Sequence, residues 1–301
     1  MKKTKVGILG IGAIGSVILT GLFKNEHLES FHFNRSKKEM TMVQFHDTFY
    51  SIPLDIKQDI YIPLKLDWLI ICLKEHQFED AKNLFQKLIS RKTKIVIIRN
   101  GIELKEPLLP FTKEEHILEC MINCPTQPDE NQVYQQMGNA IITLNQKDLA
   151  TDFQNLFKNK DFQFRQVEDL KTESWKKILE SASSGALTCL TGETCWIFSD
   201  DKIKNLYQNL LEEGIQVAKA DGAIISSDFA NVMLEKLEFY PKEKGGSMLT
   251  DRKLGRPIEL GAKNGAIVKI GKKYKIETPL NDLIVTILSK TNARNIRSFT
   301  K

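Results

Sequence analysis

The chain has 301 residues, of which 42% are apolar and 27% charged, an ordinary globular composition that excludes disordered, collagenous and low-complexity classes and sets a prior of about two domains. Its 43 basic and 38 acidic residues leave a net charge of +5 spread along the sequence. That spread lacks the clustering nucleic-acid binding needs, so no nucleic-acid partner is expected, and the surplus reads as solvated surface with local positive potential for an anionic ligand.

The N-terminus reads MKKTKVGILGIGAIGSVILTGLFKNE. Val6 to Phe23 carry no charge and follow three lysines, a profile shared by signal peptides, membrane spans and buried strand–helix units. No A-x-A-like site precedes Lys24, Asn25, Glu26 and His27, and the run only just reaches the length of a span. No later stretch comes closer, so no membrane partner is expected. Five glycines break the run, and Gly10, Gly12 and Gly15 fall as G-x-G-x-x-G. The spacing predicts a buried strand over 5–9 and a helix from about Ala13. Gly10 permits a tight turn, Gly12 admits a pyrophosphate to the backbone, and Gly15 lets helix and strand pack closely. Gly10, Gly12, Ala13, Ile14 and Gly15 are therefore the candidate cradle for a dinucleotide, against a plain glycine turn or an uncleaved signal.

A carboxylate about twenty positions after the glycines would bond a ribose 2′-hydroxyl and mark NAD. Here the second apolar run ends FHFNRSKK, placing Asn34, Arg35 and Ser36 there, followed by Lys37 and Lys38, with no carboxylate before Glu39. An arginine fork binds a 2′-phosphate strongly, and Asn34 and Ser36 can donate beside it, so NADP(H) is expected over NAD. An exposed basic turn is the plainer alternative.

Further apolar runs at 31–33, 68–73, 94–98, 117–122 and 140–144 alternate with helical or loop segments, the pattern of an α/β domain with a doubly wound, mostly parallel sheet and right-handed crossovers. After Asp169 the rhythm becomes helical. Leu206, Leu210, Leu211, Ile215 and Ala218 form a stripe between the Ser199-Asp200 cap and Gly222, and Thr278-Pro279 opens a helix carrying Leu283, Ile284, Ile287 and Leu288. This places an NADP(H)-binding domain at 1–167 and an all-helical substrate domain at 168–301. The five cysteines form no C-x-x-C pair and have no zinc-ligand spacing, which fits buried thiols in a reducing cytoplasm and no metal site.

Ligands of open α/β sheets sit beyond the carboxyl ends of the strands, which singles out Lys74 after WLIICL and Asn100-Gly101 after IVIIR. Taken alone, these read as a solvated lysine and a turn. In ESWKKILESASSGALTCLTGET, Lys177 and Ser181 are one helical turn apart, and the small residues 182–186 admit a ligand or, more plainly, a neighbouring helix. GGSMLTDRKLGRPIELGAKNG carries Ser247, Asp251, Arg256 and Glu259. Arg256 and Glu259 read as a surface pair, and spacing alone gives Glu259 no catalytic role.

In their order and spacing these pieces resemble the ketopantoate reductase family (2-dehydropantoate 2-reductases) along nearly the whole chain. The matching pieces are GIGAIG, Leu73-Lys74, Asn100-Gly101, W-x-K at Trp175 to Lys177, A-L-T-x-L-T-G at Ala186 to Gly192, S-M-L-x-D at Ser247 to Asp251, Glu259, Asn264-Gly265 and T-P-L-N-D at Thr278 to Asp282. The resemblance implies a Rossmann domain, a helical C-terminal domain, and NADPH-dependent reduction of a small 2-oxo acid, ketopantoate to pantoate in pantothenate and coenzyme A biosynthesis or a shifted substrate in a paralogue. It also leaves a homodimer open. It makes Lys177 the general acid, Glu259 a substrate-positioning carboxylate, Ser247 a substrate hydrogen-bonding group, and Lys74 and Asn100 groups near both nicotinamide and substrate. An ammonium beside the carbonyl oxygen stabilises the charge that hydride delivery builds there and returns a proton.

Two departures stand out. Where the family pattern has N-x-x-x-N one and two turns after the lysine, this chain has Ser181 and Gly185. Ser181 still offers a substrate hydrogen bond, whereas Gly185 offers none, so the pocket is expected to be larger, which leaves a substrate other than ketopantoate open. Arg99 before Asn100 is also unexpected, and could meet an anion or solvent. Two rival readings remain: a β-hydroxy-acid dehydrogenase-like oxidoreductase, and a non-catalytic NADP(H)-binding sensor.

Overall fold

A computed structural model describes residues 2–58, 60–61, 63–145 and 148–299. The chain divides into two compact units, one holding residues up to Arg99 together with Glu103–Leu170, the other holding Asn100–Ile102 with the residues from Lys171 onward.

In chain order the first unit contains β1 (Thr4–Leu9), α1 (Ala13–Leu22), β2 (Leu28–Phe33), β3 (Met40–Phe45), β4 (Thr48–Pro53), β5 (Trp68–Ile71), α2 (Phe78–Leu88), β6 (Lys94–Ile98), β7 (Ile117–Asn123), β8 (Thr126–Pro128), β9 (Tyr134–Gln136), β10 (Ala140–Asn145), α3 (Asp148–Gln154) and β11 (Phe162–Val167). Seven strands pair in the order β11-β10-β7-β6-β5-β1-β2. All neighbours are parallel except β7 and β10, which run antiparallel. Because side chains alternate across a strand, the central strands feed two apolar layers. Val6, Ile8, Ile70, Val96 and Ile98 join α1 and α3, whereas Leu9, Leu69, Ile71, Ile95 and Ile97 join Phe78, Ala81, Phe85 and Leu88 of α2.

A second sheet, β4-β3-β9-β8, covers the outer side of α1. Val43 and Ile52 from it share an apolar layer with Val17 and Ile18, and Ser16 Oγ lies 2.7 Å from Thr41 Oγ1. A helix apolar on every side needs cover on every side. Sandwiched between two sheets, α1 is buried from Gly15 to Leu22, which explains the charge-free N-terminal run. Among the described residues no helix is long and apolar enough to cross a membrane. This small sheet and β11 do not appear in the sequence pattern, because two of the strands have only three residues and the others alternate with polar or aromatic groups. The predicted strand at 68–73 also stops earlier, at Ile71.

The second unit is helical: α4 (Leu170–Thr191), α5 (Asp201–Ala220), α6 (Phe229–Leu237), α7 (Ser247–Lys253), α8 (Ala266–Tyr274) and α9 (Pro279–Phe299). Trp175, Tyr207, Leu210, Leu211, Met248, Ile267 and Ile284 lie at its centre. Asp200 caps α5 by accepting from the Lys202 amide at 2.7 Å. Glu213 of α5 accepts from the amides of Leu280 and Asn281 at 2.9 and 2.8 Å, supplying the N-terminus of α9 with a carboxylate.

Between α7 and α8 the chain makes a single π turn over Gly261–Gly265, in which the Leu260 carbonyl accepts from the Gly265 amide at 2.9 Å. A Cβ on residue 265 would lie 3.1 Å from that same oxygen, so glycine suits the closure. Asn264 is fully buried and donates to Asn281 Oδ1 at 2.9 Å, while Asn281 donates to Glu213. The N-G and T-P-L-N-D motifs thus clamp this turn to the start of α9.

Candidate active site

In the first unit the three glycines divide their work by geometry. Gly10 has φ +92°, a left-handed conformation that favours glycine, and a Cβ there would meet the Cys72 carbonyl at 3.0 Å. A Cβ on residue 15 would overlap the Gly10 carbonyl oxygen, so α1 could not pack as closely against the turn. In front of Gly12 there is open space, and no side chain caps the N-terminus of α1, where Ala13 and Ile14 stand. An open glycine backbone at a helix start fits an anionic pyrophosphate.

After β2, Asn34 turns back to this loop. Its side-chain Oδ1 accepts from the Ile11 amide at 3.1 Å, and its Nδ2 donates to the Ser36 carbonyl and hydroxyl, both at 2.9 Å. In this arrangement Asn34 holds the turn, while Arg35, Ser36 and Lys37 are exposed. Lys38, seen in the sequence only as part of a basic run, donates to the Ile11 carbonyl at 3.2 Å and stands over the Tyr134 ring. Lys74 is half-buried beyond β5, with its amide bonded to Gln77 Oε1 at 2.9 Å. Arg99 stacks on Phe78, with 4.7 Å from guanidinium carbon to ring centre, which accounts for the unexpected arginine.

Asn100 belongs to the second unit, in a loop where Gly101 takes φ 131° and Ile102 packs on the helical core. The other candidates there come from α4, α7 and the segment that ends in the π turn. Lys177 on α4 is half-buried, and its pKa falls from 10.5 to about 8. Burial is the main cause; the Lys263 ammonium adds to it, while Glu259 and Glu180 oppose it. Glu180 is itself held by Lys236 at 2.6 Å and by the Tyr240 hydroxyl. Ser181 sits half-buried one turn along α4.

Glu259 is only 7% exposed, which overturns its reading as a surface partner of Arg256. The residue that sequence reading missed is Lys263. It is 3% exposed, and its Nζ donates to Ser247 Oγ at 3.2 Å. Its spacing of four from Glu259 was the available signal, but the same spacing describes countless solvent-exposed helical pairs. Gly185 explains how the lysine fits: a Cβ there would stand 3.2 Å from Met248 Sδ and 3.7 Å from Lys263 Nζ. The small residues of α4 therefore admit both a neighbouring helix and a buried cation. Arg252 ties α7 to α4 by donating to the Cys189 and Leu190 carbonyls. Among the described residues no group of His, Cys, Asp and Glu is arranged to hold a metal.

Solved structures share this architecture. A dimeric ketopantoate reductase of Staphylococcus aureus superposes with a TM-score of 0.85 at 22% identity, covering 97% of this chain and 99% of that one. A D-mandelate dehydrogenase bound to NADH and anilino(oxo)acetate gives 0.85 at 19% identity, with the same coverage. Fold and glycine turn together define a Rossmann domain of the dinucleotide-binding type followed by a helical domain. The family model described as ketopantoate reductase PanE/ApbA matches residues 6–148, and that of its C-terminal part matches 169–292. The chain belongs to the ketopantoate reductase family. Among its relatives, the 2-dehydropantoate 2-reductase of Caulobacter vibrioides is 25% identical over 287 residues, covering 95% of this chain and 98% of that protein.

Proposed function

We propose that the protein reduces a 2-oxo acid to the 2-hydroxy acid with NADPH, the first substrate to test being 2-dehydropantoate (ketopantoate), whose product pantoate leads to pantothenate. The carrying observation is Lys177, an ammonium with its pKa lowered to about 8 beside Glu259. A general acid works best with a pKa near the operating pH, and an ordinary lysine lies too high. A bound nicotinamide supplies the hydride. Lys177 stabilises the charge growing on the carbonyl oxygen and donates its proton there, Glu259 orients the substrate, and Ser247, Ser181 and Asn100 hydrogen-bond to it, while Lys74 is assigned to the nicotinamide.

The open backbone at Gly12 and the uncapped start of α1 suit the cofactor's pyrophosphate, with Arg35 and Ser36 taking the 2′-phosphate. Asn34 supports them through Ile11. Five free cysteines favour a reducing, cytoplasmic setting, and the dimeric Staphylococcus relative makes a homodimer the assembly to test.

Following NADPH absorbance with purified protein and ketopantoate tests the reading. Wild type should turn over, and Lys177→Ala should lose about 100-fold to 10,000-fold in kcat/KM while binding NADPH normally. Equal turnover by the two proteins would remove Lys177 as the acid. Tight NADPH binding without oxidation on any of a panel of branched 2-oxo acids would instead identify a sensor.

A further inference from the structure

We propose that Lys263, together with Ser247, is the carboxylate-binding pair of the substrate site and sets its preference for 2-oxo acids over uncharged carbonyl compounds. This inference rests on the proposed 2-oxo-acid reduction and names the group that recognises the acid.

Three observations carry it. The first is the position of a cation that is almost wholly buried: Lys263 Nζ donates to Ser247 Oγ, the serine already singled out for substrate contact. The second is the space that admits it. Gly185, standing where the family pattern has asparagine, leaves Lys263 Nζ and Met248 Sδ against its bare Cα–H. A larger side chain there would have to displace the lysine tip or the methionine. The third is electrostatic: the Lys263 charge acts on the proposed acid and lowers the pKa of Lys177.

A 2-oxo acid carries its carboxylate on the carbon next to the carbonyl, so it presents two oxygen groups side by side. Two neighbouring ammonium groups match that pattern, one for the developing alkoxide and one for the carboxylate. Lys is a compact donor well suited to a carboxylate oxygen, and the serine hydroxyl can donate alongside it. The carboxylate also brings a negative charge between two like charges that repel each other in the absence of a ligand. Glu259 and Asp251 are the buried carboxylates of this neighbourhood, and Arg252 is engaged by main-chain carbonyls. With these carboxylates offsetting the lysines, the substrate carboxylate is recognised by the local donors, the Lys263 ammonium and the Ser247 hydroxyl, and not by a net positive field.

The test uses oxamate, a 2-oxo-acid analogue that resists reduction, and its uncharged ethyl ester, each titrated calorimetrically into NADPH-saturated protein. Wild type should bind oxamate more tightly than the ester. Lys263→Gln should weaken oxamate by at least about tenfold and leave the ester unchanged, while Lys263→Arg, which keeps the cation, should restore most of the difference. Equal oxamate affinity in wild type and Lys263→Gln, or no oxamate binding by wild type, overturns the proposal. Should the glutamine variant fail to fold, wild type labelled with 13C at lysine Cε decides. The resonance that disappears in Lys263→Arg should shift with oxamate and not with the ester, and an unmoved resonance refutes the pair. Oxamate binding that depends on Lys263, found alongside no reduction of any 2-oxo acid, would retain this inference and discard the proposed activity. Turnover of ketopantoate with unchanged oxamate affinity in Lys263→Gln would do the reverse.

Discussion

The glycine turn of the first unit and the lysine pair of the second are built from opposite materials. One is bare backbone whose shape depends on missing side chains; the other is buried charge whose behaviour depends on what surrounds it. A backbone conformation that only glycine tolerates writes itself into the sequence. Buried charge leaves no such mark, since a lysine codes identically whether it is solvated or sits 3% exposed against a serine. The glycine site is therefore robust in chemistry and brittle in shape, and the lysine site is the converse.

The contrast can be broken most forcefully at the turn. Gly15→Ala forces a Cβ into the Gly10 carbonyl, so it should destabilise the protein by about 3 kcal/mol in urea and weaken NADPH by more than about 100-fold. Unchanged melting and cofactor affinity would show that the turn is softer than its packing implies. Next in size is Arg35→Ala, which leaves the backbone alone. NADPH affinity should drop by about tenfold to 100-fold with little change for NADH, the range for a lost charge-assisted bond, and equal losses for both cofactors would refute a 2′-phosphate contact.

The helical unit is probed by pH. With Lys177 near 8, kcat/KM in wild type should fall as pH rises through about 8, because the acid loses its proton. Lys263→Gln removes a charge that lowers the pKa and should move this limb to higher pH. Glu259→Gln removes one that raises it and should move the limb lower. A limb that stays in place in both variants would detach Lys177 from the rate.

The smallest effect expected is on stability. Lys177 has a folded pKa of about 8 against 10.5 unfolded, so between those values the unfolded chain binds more protons, and stability rises with pH. At pH 7 the folded state bears the whole cost of the buried charge. Lys177→Met should accordingly raise Tm by a few degrees at pH 7, with the gain shrinking as pH climbs past 8. A gain that does not vary with pH would indicate better packing rather than relief of charge. A more stable but inactive variant is the usual mark of a residue kept for function.

The same contrast governs what could be read in advance. The alternation of β1, β5, β6, β7 and β10 with their crossovers is visible as apolar runs, and the stripe of α5 is visible between Asp200 and Gly222. The sheet over α1 is not, because its strands bury one face and number as few as three residues. Within the site, Asn34 reads as a phosphate donor on residue type, yet its two polar ends are taken by Ile11 and Ser36. Glu259 reads as a surface residue because local spacing cannot report the tertiary packing that leaves it only 7% exposed. Gly185 reads as an empty place, and only coordinates show which side chain comes to it.

The wide turn at Gly261–Gly265 has a consequence for how such a pocket can change. It carries one residue beyond what an α-helical turn requires, with Glu259 just before it and the core contacts of Ile267 and Ile270 just after. Losing a single codon inside it would rotate one flank against the other by about 100°. Either the α8 core stripe or the irregular segment that carries Glu259 would then have to adjust. Chain length at this point is a stronger lever on the pocket than most amino-acid exchanges, and a short insertion or deletion offers a lineage a direct path to a different substrate.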